Sequence, residues 1–260
     1  MTLQTGGTPA PAPSLAPDAL AGSCVIVTGG ASGIGRAIVD AVVAHGGKAI
    51  VWDIQDAALR DCAARHGDAV TVVKVNVADS AAVRSAAAAL PDGFAPTHLV
   101  NNAGIIGKLM PLAELEAEEI DRVLSINLKS VLYCTRAFLN HRAPHPYASI
   151  VNLSSIAART GGMPGNALYA TTKGAIASLT RAAAKELAPE VRVNALAPGI
   201  IDTPIQADSL GDRAKLAEIA KVIPLQRVGV AEEVAAAALW LLSGASAYVT
   251  ATIVDVAGGR

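Results

Sequence analysis

Apolar positions along this chain fall into two patterns. Short, nearly unbroken apolar runs rich in β-branched residues lie at 23–28 (SCVIVT), 48–53 (KAIVWD), 70–75 (VTVVKV) and 97–101 (THLVN), and again at 148–153, 191–196 and 251–256. Between them run longer alanine-rich stretches of helical character. Short apolar runs with room for a helix between each pair predict repeated strand–helix–strand units and a mostly parallel sheet of about seven strands, with helices on both faces. No internal repeat or low-complexity insert divides the pattern. The expectation is one doubly wound α/β domain over 21–260, preceded by a loose Pro-, Ala- and Gly-rich tail over 1–20.

One segment breaks the rhythm. Residues 201–229 (IDTPIQADSLGDRAKLAEIAKVIPLQRVG) carry helical spacing but no strand-like run of their own. Loops past the C-terminal ends of parallel strands are where such sheets bind ligands, so the segment reads as a substrate lid over about 202–225, with a plain helical excursion as the alternative.

Composition narrows the picture. The chain is 52% hydrophobic, 17% charged and 3% aromatic, so small and aliphatic side chains fill the interior. A formal net charge of -1 leaves no basic surplus for a nucleic-acid backbone. Cys24, Cys62 and Cys134 are scattered without metal-ligand spacing, as expected of reduced thiols in the cytoplasm and of a protein with no bound metal. No run has the length of a membrane span, and the N-terminus lacks the pattern of a secretory signal.

The first candidate chemistry is VTGGASGIGRA at 27–37. Gly29, Gly33 and Gly35 follow the first strand and open a helix. Such a turn needs positions without a Cβ so that backbone can approach a phosphate, and the helix then offers unpaired N–H groups to it. Asp53 ends the second strand, 20 residues after Gly33. A carboxylate there accepts hydrogen bonds from ribose hydroxyls and repels a 2′-phosphate. No cation stands at Ala31, Ser32 or Ile54, and Arg36 is the nearest one, so NAD is expected over NADP. Further on, Tyr169 and Lys173 stand one helical turn apart in YATTK. On spacing alone that pair is better read as an exposed helix face.

Four blocks then occur in one order: TGGASGIG (28–35), NNAG (101–104), NLSS…YATTK (152–173) and APGIIDT (197–203). With these the chain resembles the short-chain dehydrogenase/reductase family from about Gly22 to Gly259. The resemblance implies a Rossmann-type fold and an NAD-dependent oxidoreductase interconverting a secondary alcohol and a ketone by hydride transfer. Tyr169 would be the acid/base, and Lys173 would favour its phenolate and hold the nicotinamide ribose. Ser155 would steady the substrate oxygen, and Asn127 would hold a water next to the lysine, while also kinking its helix. The cofactor would lie along Ser32, Ile34 and Ile54, past Asn76 and Val77 at the adenine, and over Asn102, Ala103 and Gly104. Pro198, Gly199, Ile201 and Thr203 would face the nicotinamide.

Family placement also implies a substrate pocket at Ser155, Arg159, Met163 and Ile205, with Ile106, Ala157 and Gln206 near it. Arg159 would either receive an anion or lie in solvent. The chain departs from the family at Asn76 (usually Asp), Ala251 (usually Gly) and Ala257 (usually Asp). A homotetramer or dimer is implied, with the apolar stretch 234–249 serving as core or interface. Two other functions stay open: an NAD(P)H-dependent carbonyl or 3-oxoacyl reductase, and a non-catalytic dinucleotide-binding regulator.

Overall fold

The computed structural model of the chain describes residues 15–203 and 218–260. All seven apolar runs become strands: β1 (Cys24–Thr28), β2 (Lys48–Asp53), β3 (Val70–Lys74), β4 (His98–Asn101), β5 (Ser149–Leu153) and β6 (Arg192–Pro198), then, after the short β7 (Ile201–Asp202) and β8 (Gly229–Val230), β9 (Ile253–Val256). The seven long ones pair in the order β3-β2-β1-β4-β5-β6-β9, each parallel to its neighbours. Burial explains the choice of strand over helix. Every residue of β1, β4 and β5 is buried, and β2 exposes only Lys48, as a strand covered on both faces requires.

The helices are α1 (Gly33–Ala44), α2 (Asp56–His66), α3 (Ser80–Ala88), α4 (Ala117–Leu124), α5 (Ser130–His141), α6 (Ala157–Thr160), α7 (Ala167–Leu187) and α8 (Ala231–Leu242). Ile38, Val39 and Val42 of α1 and Val234, Ala238 and Leu241 of α8 pack with Val25, Val27 and Val51 on one face of the sheet. Val83 of α3, Phe138 of α5 and Ala184 of α7 pack with Ile26, Ile50, Leu99 and Ile150 on the other. Each large aliphatic side chain removed from water contributes about 1.5–3 kcal/mol, so these two layers clamp the sheet between them. The inward face of the apolar stretch 234–249 is therefore core: Val234, Ala235, Ala238, Leu239, Leu241 and Leu242 are all buried.

Strand order reverses between β1 and β4, which opens a crevice past their C-terminal ends. The segment expected to lack a strand has one at each end. Ile201 and Asp202 pair in parallel with Gly229 and Val230, closing the base of the excursion. Gly229 leaves room for the Ile201 side chain, whose Cδ1 would lie 2.6 Å from a Cβ there. Most of the expected lid, residues 204–217, lies outside the described residues. Among the described residues no helix is long and apolar enough to cross a membrane.

Candidate active site

At the end of β1 the backbone turns back under a network of short polar side chains. Thr28 Oγ1 accepts the N–H groups of Asn102 (3.0 Å) and Ala103 (3.1 Å). Asn102 Nδ2 donates to the carbonyls of Thr28 (2.9 Å) and Gly29 (3.1 Å). This ties β1 to β4 at the switch point. Gly29 and Gly33 take φ of +62° and +52°, a region that disfavours side chains. A Cβ on Gly35 would lie 2.1 Å from the Gly29 carbonyl oxygen, so Gly35 packs the helix against the turn while Gly29, Ser32, Gly33 and Ile34 line the cleft.

Asp53 sits on the cleft wall with its carboxylate already engaged. Oδ2 accepts Ala31 N–H at 3.1 Å, and Oδ1 accepts Ile54 N–H at 2.7 Å and Gln55 N–H at 3.1 Å. The acid thus fixes the turn as well as facing the cleft. Ile54, 61% exposed, and the Asn76–Val77 corner form the walls beside it. Asn76 keeps its corner by accepting Ala78 N–H at 3.1 Å. Arg36 points away, with its guanidinium 3.9 Å from both Asp40 and Asp61.

The other end of the cleft is built on β5 and α7. Lys173, Ile176, Thr180 and Ala184, at spacings of about one helical turn, form the buried stripe of α7 together with Thr172. The stripe is registered on the sheet by a polar relay in which Asn101 Nδ2 donates to Asn152 Oδ1 at 2.9 Å and Asn152 Nδ2 donates to Thr180 Oγ1 at 2.9 Å. Ser154 Oγ donates to the Lys173 carbonyl at 2.8 Å, and Lys173 Nζ donates to the Leu153 carbonyl at 2.7 Å. Ser154 is structural; its neighbour Ser155 donates its hydroxyl to the Pro198 carbonyl at 3.5 Å and lines the cleft together with Tyr169. Ser155 Oγ also accepts Ala157 N–H at 3.1 Å.

The Lys173 ammonium lies 5.5 Å from the centre of the Tyr169 ring. Burial raises the phenol above its usual 10.0, offset in part by the Ser155 hydroxyl. Burial also lowers Lys173 to about 8. Each group resists charge because each has lost its water.

Asn127 stands behind this cluster, fully buried in a π-turn (Ser125–Lys129) between α4 and α5. The extra residue per turn turns its amide toward the loop after β4, where Oδ1 accepts Ile105 N–H at 2.9 Å and Nδ2 donates to the Ile105 carbonyl at 2.8 Å. Nδ2 also donates to Thr172 Oγ1 at 3.2 Å. Glu119 Oε1 accepts Lys108 N–H at 2.8 Å, and Arg122 bonds both carboxylate oxygens, which holds Glu119 down to about 2 and fixes that loop as one wall.

The cleft, about 410 Å³, also includes Asn102, Ala103 and Gly104 on one side and Pro198, Gly199, Ile201 and Thr203 on the other. Ile106, Ala157 and Met163 line it as expected. Arg159 does not: its guanidinium donates to Asp255 Oδ2 at 3.0 Å and to the Arg260 carbonyl at 2.9 Å, so the arginine is turned toward β9. Ile205 and Gln206 lie outside the described residues. Three residues that sequence reasoning passed over matter to the site. Thr28 staples the switch point, and Asn166 and Arg260 line the cleft. The asparagine could have been found from its place three residues before the tyrosine; nothing in the sequence signals Arg260.

A family model described as Enoyl-(Acyl carrier protein) reductase matches residues 29–260. The 2-dehydro-3-deoxy-L-rhamnonate dehydrogenase (NAD(+)) of Sphingomonas sp. (strain SKA58) is 36% identical over 242 residues, covering 92% of this chain and 96% of that one. The chain belongs to the short-chain dehydrogenase/reductase family. Other members are similar to the same extent. The 3-oxoacyl-(acyl-carrier-protein) reductase FabG of Chlamydia pneumoniae is 36% identical over 245 residues, covering 92% of this chain and 97% of that one. A crystal structure titled short-chain dehydrogenase/reductase SDR:Glucose/ribitol dehydrogenase, from Brucella melitensis, superposes with a TM-score of 0.87 at 33% identity, covering 94% of this chain and 98% of that one. As a short-chain dehydrogenase/reductase, the chain is an oxidoreductase that uses a nicotinamide dinucleotide. Its residues fit that cofactor: Gly29, Ser32, Gly33 and Ile34 line the cleft where α1 begins, and the φ of +62° and +52° at Gly29 and Gly33 keeps side chains out of the turn.

Proposed function

We propose that this short-chain dehydrogenase/reductase oxidises a secondary alcohol to a ketone with NAD, and that Tyr169, Ser155, Lys173 and Asn127 carry the chemistry. The observation that carries this reading is the meeting, in one cleft, of Asp53 at one end and the Ser155–Tyr169–Lys173 cluster at the other. Asp53 supports NAD over NADP, since a carboxylate beside the ribose repels a 2′-phosphate and Arg36 is turned toward Asp40 and Asp61.

The nicotinamide, when bound, supplies the hydride acceptor and a positive charge. Ser155 Oγ holds the alcohol oxygen, and the Tyr169 oxygen takes the alcohol proton. Burial holds the Tyr169 phenol above its usual value, and positive charge entering the cleft favours the phenolate that accepts the alcohol proton. Lys173 serves the ribose hydroxyls. Asn127 keeps the wall after β4 in place and lies next to Gly104, whose added Cβ would be 3.3 Å from Asn127 Oδ1 and 3.5 Å from Lys173 Nζ.

The names of the Sphingomonas and Brucella relatives support a polyhydroxylated substrate. The Chlamydia relative supports the reductive alternative, a 3-oxoacyl or carbonyl reductase using NAD(P)H, against which Asp53 weighs. Free, buried Cys24, Cys62 and Cys134 suit the reducing cytoplasm. Assembly as a dimer or tetramer rests on membership of the family.

The test is absorbance at the reduced-nicotinamide band while the protein meets NAD+ or NADP+ and a panel of cyclic, aromatic, hydroxy-acid and sugar alcohols. Turnover is expected with NAD+, and Asp53→Ala is expected to narrow the NAD-to-NADP preference by about tenfold or more, the value of a hydrogen bond to a charged group. A preference for NADP+, or an equal loss with both cofactors in Asp53→Ala, would overturn the NAD reading.

A further inference from the structure

The segment that follows β9 reaches the cleft at Arg260. Gly258 and Gly259, at φ of +63° and +97°, thread against Ile223 and Pro224, where added Cβ atoms would come within 2.7 and 2.9 Å. Leu225 N–H donates to the Gly258 carbonyl at 3.1 Å, and Gly199 N–H donates to the Val256 carbonyl at 3.0 Å. Arg159 adds the last anchor through Asp255 and the Arg260 carbonyl. Together these contacts bring Arg260 to the cleft, which it lines along with Thr160, Gly162, Met163 and Ile219.

The charged groups along the cleft differ in what they have left to offer. The Asp53 carboxylate is held by three backbone N–H groups, and the Lys173 ammonium by the Leu153 carbonyl. The Arg260 guanidinium forms no ion pair with any described residue, whereas that of Arg159 is paired with Asp255. Position then excludes the adenosine end of the cofactor as the partner of Arg260. Asp53 ends β2, and Arg260 follows β9, five strands away in the sheet order. At about 4.8 Å per strand that separation is roughly 24 Å. Ser155 follows β5, two strands from β9 in the sheet order, so Arg260 belongs to the Ser155–Tyr169 end of the cleft, where the substrate oxygen is held in the proposed function. Asn166 lines the same part of the cleft, and its Oδ1 is buried without a partner, which suits a hydroxyl-bearing ligand better than an apolar ring.

We propose that the alcohol this enzyme takes carries an anionic group, a carboxylate or a phosphate ester, received by the guanidinium of Arg260, with Arg159 as the residue that positions it. A guanidinium presents two parallel donors to either anion. The inference rests on the dehydrogenase reading above.

The test compares three substrates that share one secondary carbinol: an aldonate, the matching neutral alditol and the matching sugar-alcohol phosphate. Each is assayed with NAD+ on the wild type, Arg260→Gln, Arg260→Lys and Arg159→Gln. In the wild type, kcat/KM is expected to favour one anionic substrate over the neutral one, and which anion is favoured distinguishes carboxylate from phosphate. That ratio falls about tenfold or more in Arg260→Gln, mainly through KM, is partly restored in Arg260→Lys, and falls by less in Arg159→Gln. Arg260→Lys keeps a charge in place and so separates loss of the cation from loss of the fold. A preference for the neutral alcohol, or the same ratio in wild type and Arg260→Gln, would overturn this inference and leave the dehydrogenase reading standing. Silence in all three arms and throughout the wider panel would overturn both.

Discussion

Lys173 has to serve two opposed ends. In the proposed function its ammonium serves the ribose and stands beside the phenol, yet it sits on the buried stripe of α7, where burial lowers it to about 8. In the unfolded chain a lysine titrates near ~10.4, so between about pH 8 and 10 the unfolded state binds more protons and stability rises with pH. Below about pH 8 the penalty is present in full. Replacing the residue by methionine removes it, at the expense of the bond to the Leu153 carbonyl. The stability difference between wild type and Lys173→Met, from chemical denaturation without cofactor, is therefore expected to shift in favour of wild type by about 2 kcal/mol from roughly pH 7.5 to 9.5. A difference that stays flat would mean that the ammonium keeps its water. Tyr169 and Lys173 could be singled out in the sequence because their spacing and neighbours are local. What they do to each other could not be read there, because it depends on how far the packing of β5 against α7 excludes water.

Elements were legible wherever one signal fixed them. The seven strands announce themselves because a strand buried on both faces must be apolar throughout, and α1 because a glycine turn must precede it. The π-turn at Asn127 was visible only as a polar residue in an apolar helix, and β7 and β8 not at all, since a two-residue pairing carries no periodicity. One departure from the family does have a backbone consequence. Ala251, where a glycine is usual, has φ of +63° on the way into β9, held by its N–H donating to the Val193 carbonyl at 2.8 Å. The left-handed region costs a residue with a Cβ about 1–2 kcal/mol, and glycine gives back about 0.5–1 kcal/mol in unfolded-chain entropy. Ala251→Gly is expected to stabilise the protein by about 0.5–1 kcal/mol, a rise of about 1–3 °C in Tm for a chain of this size. An unchanged or lower Tm in calorimetry would show that the strand entry absorbs the conformation without strain.

For the whole molecule, the parallel sheet decides where chemistry can occur. Every strand delivers its C-terminal end to the same edge, so residues from 28 to 203 converge on one crevice at the β1–β4 reversal. That convergence is why so much of the site could be assigned from motifs at the ends of apolar runs. Arg159 and Arg260 show the limit of such reading. Family placement puts Arg159 in the pocket, but its partner Asp255 is 96 residues away and turns it toward β9, while Arg260 reaches the cleft with that contact as one of its anchors.

The central claim is that Tyr169 moves the proton in a cleft whose cofactor site does not depend on it. The most direct measurement takes Tyr169→Phe and follows NAD binding by calorimetry and single-turnover reduction of NAD+ by absorbance on the same sample. The variant is expected to bind NAD within a few-fold of wild type and to lose about 10²–10⁴ in rate, because only the transferable proton is gone. A rate near that of the wild type, with NAD bound, would contradict the account.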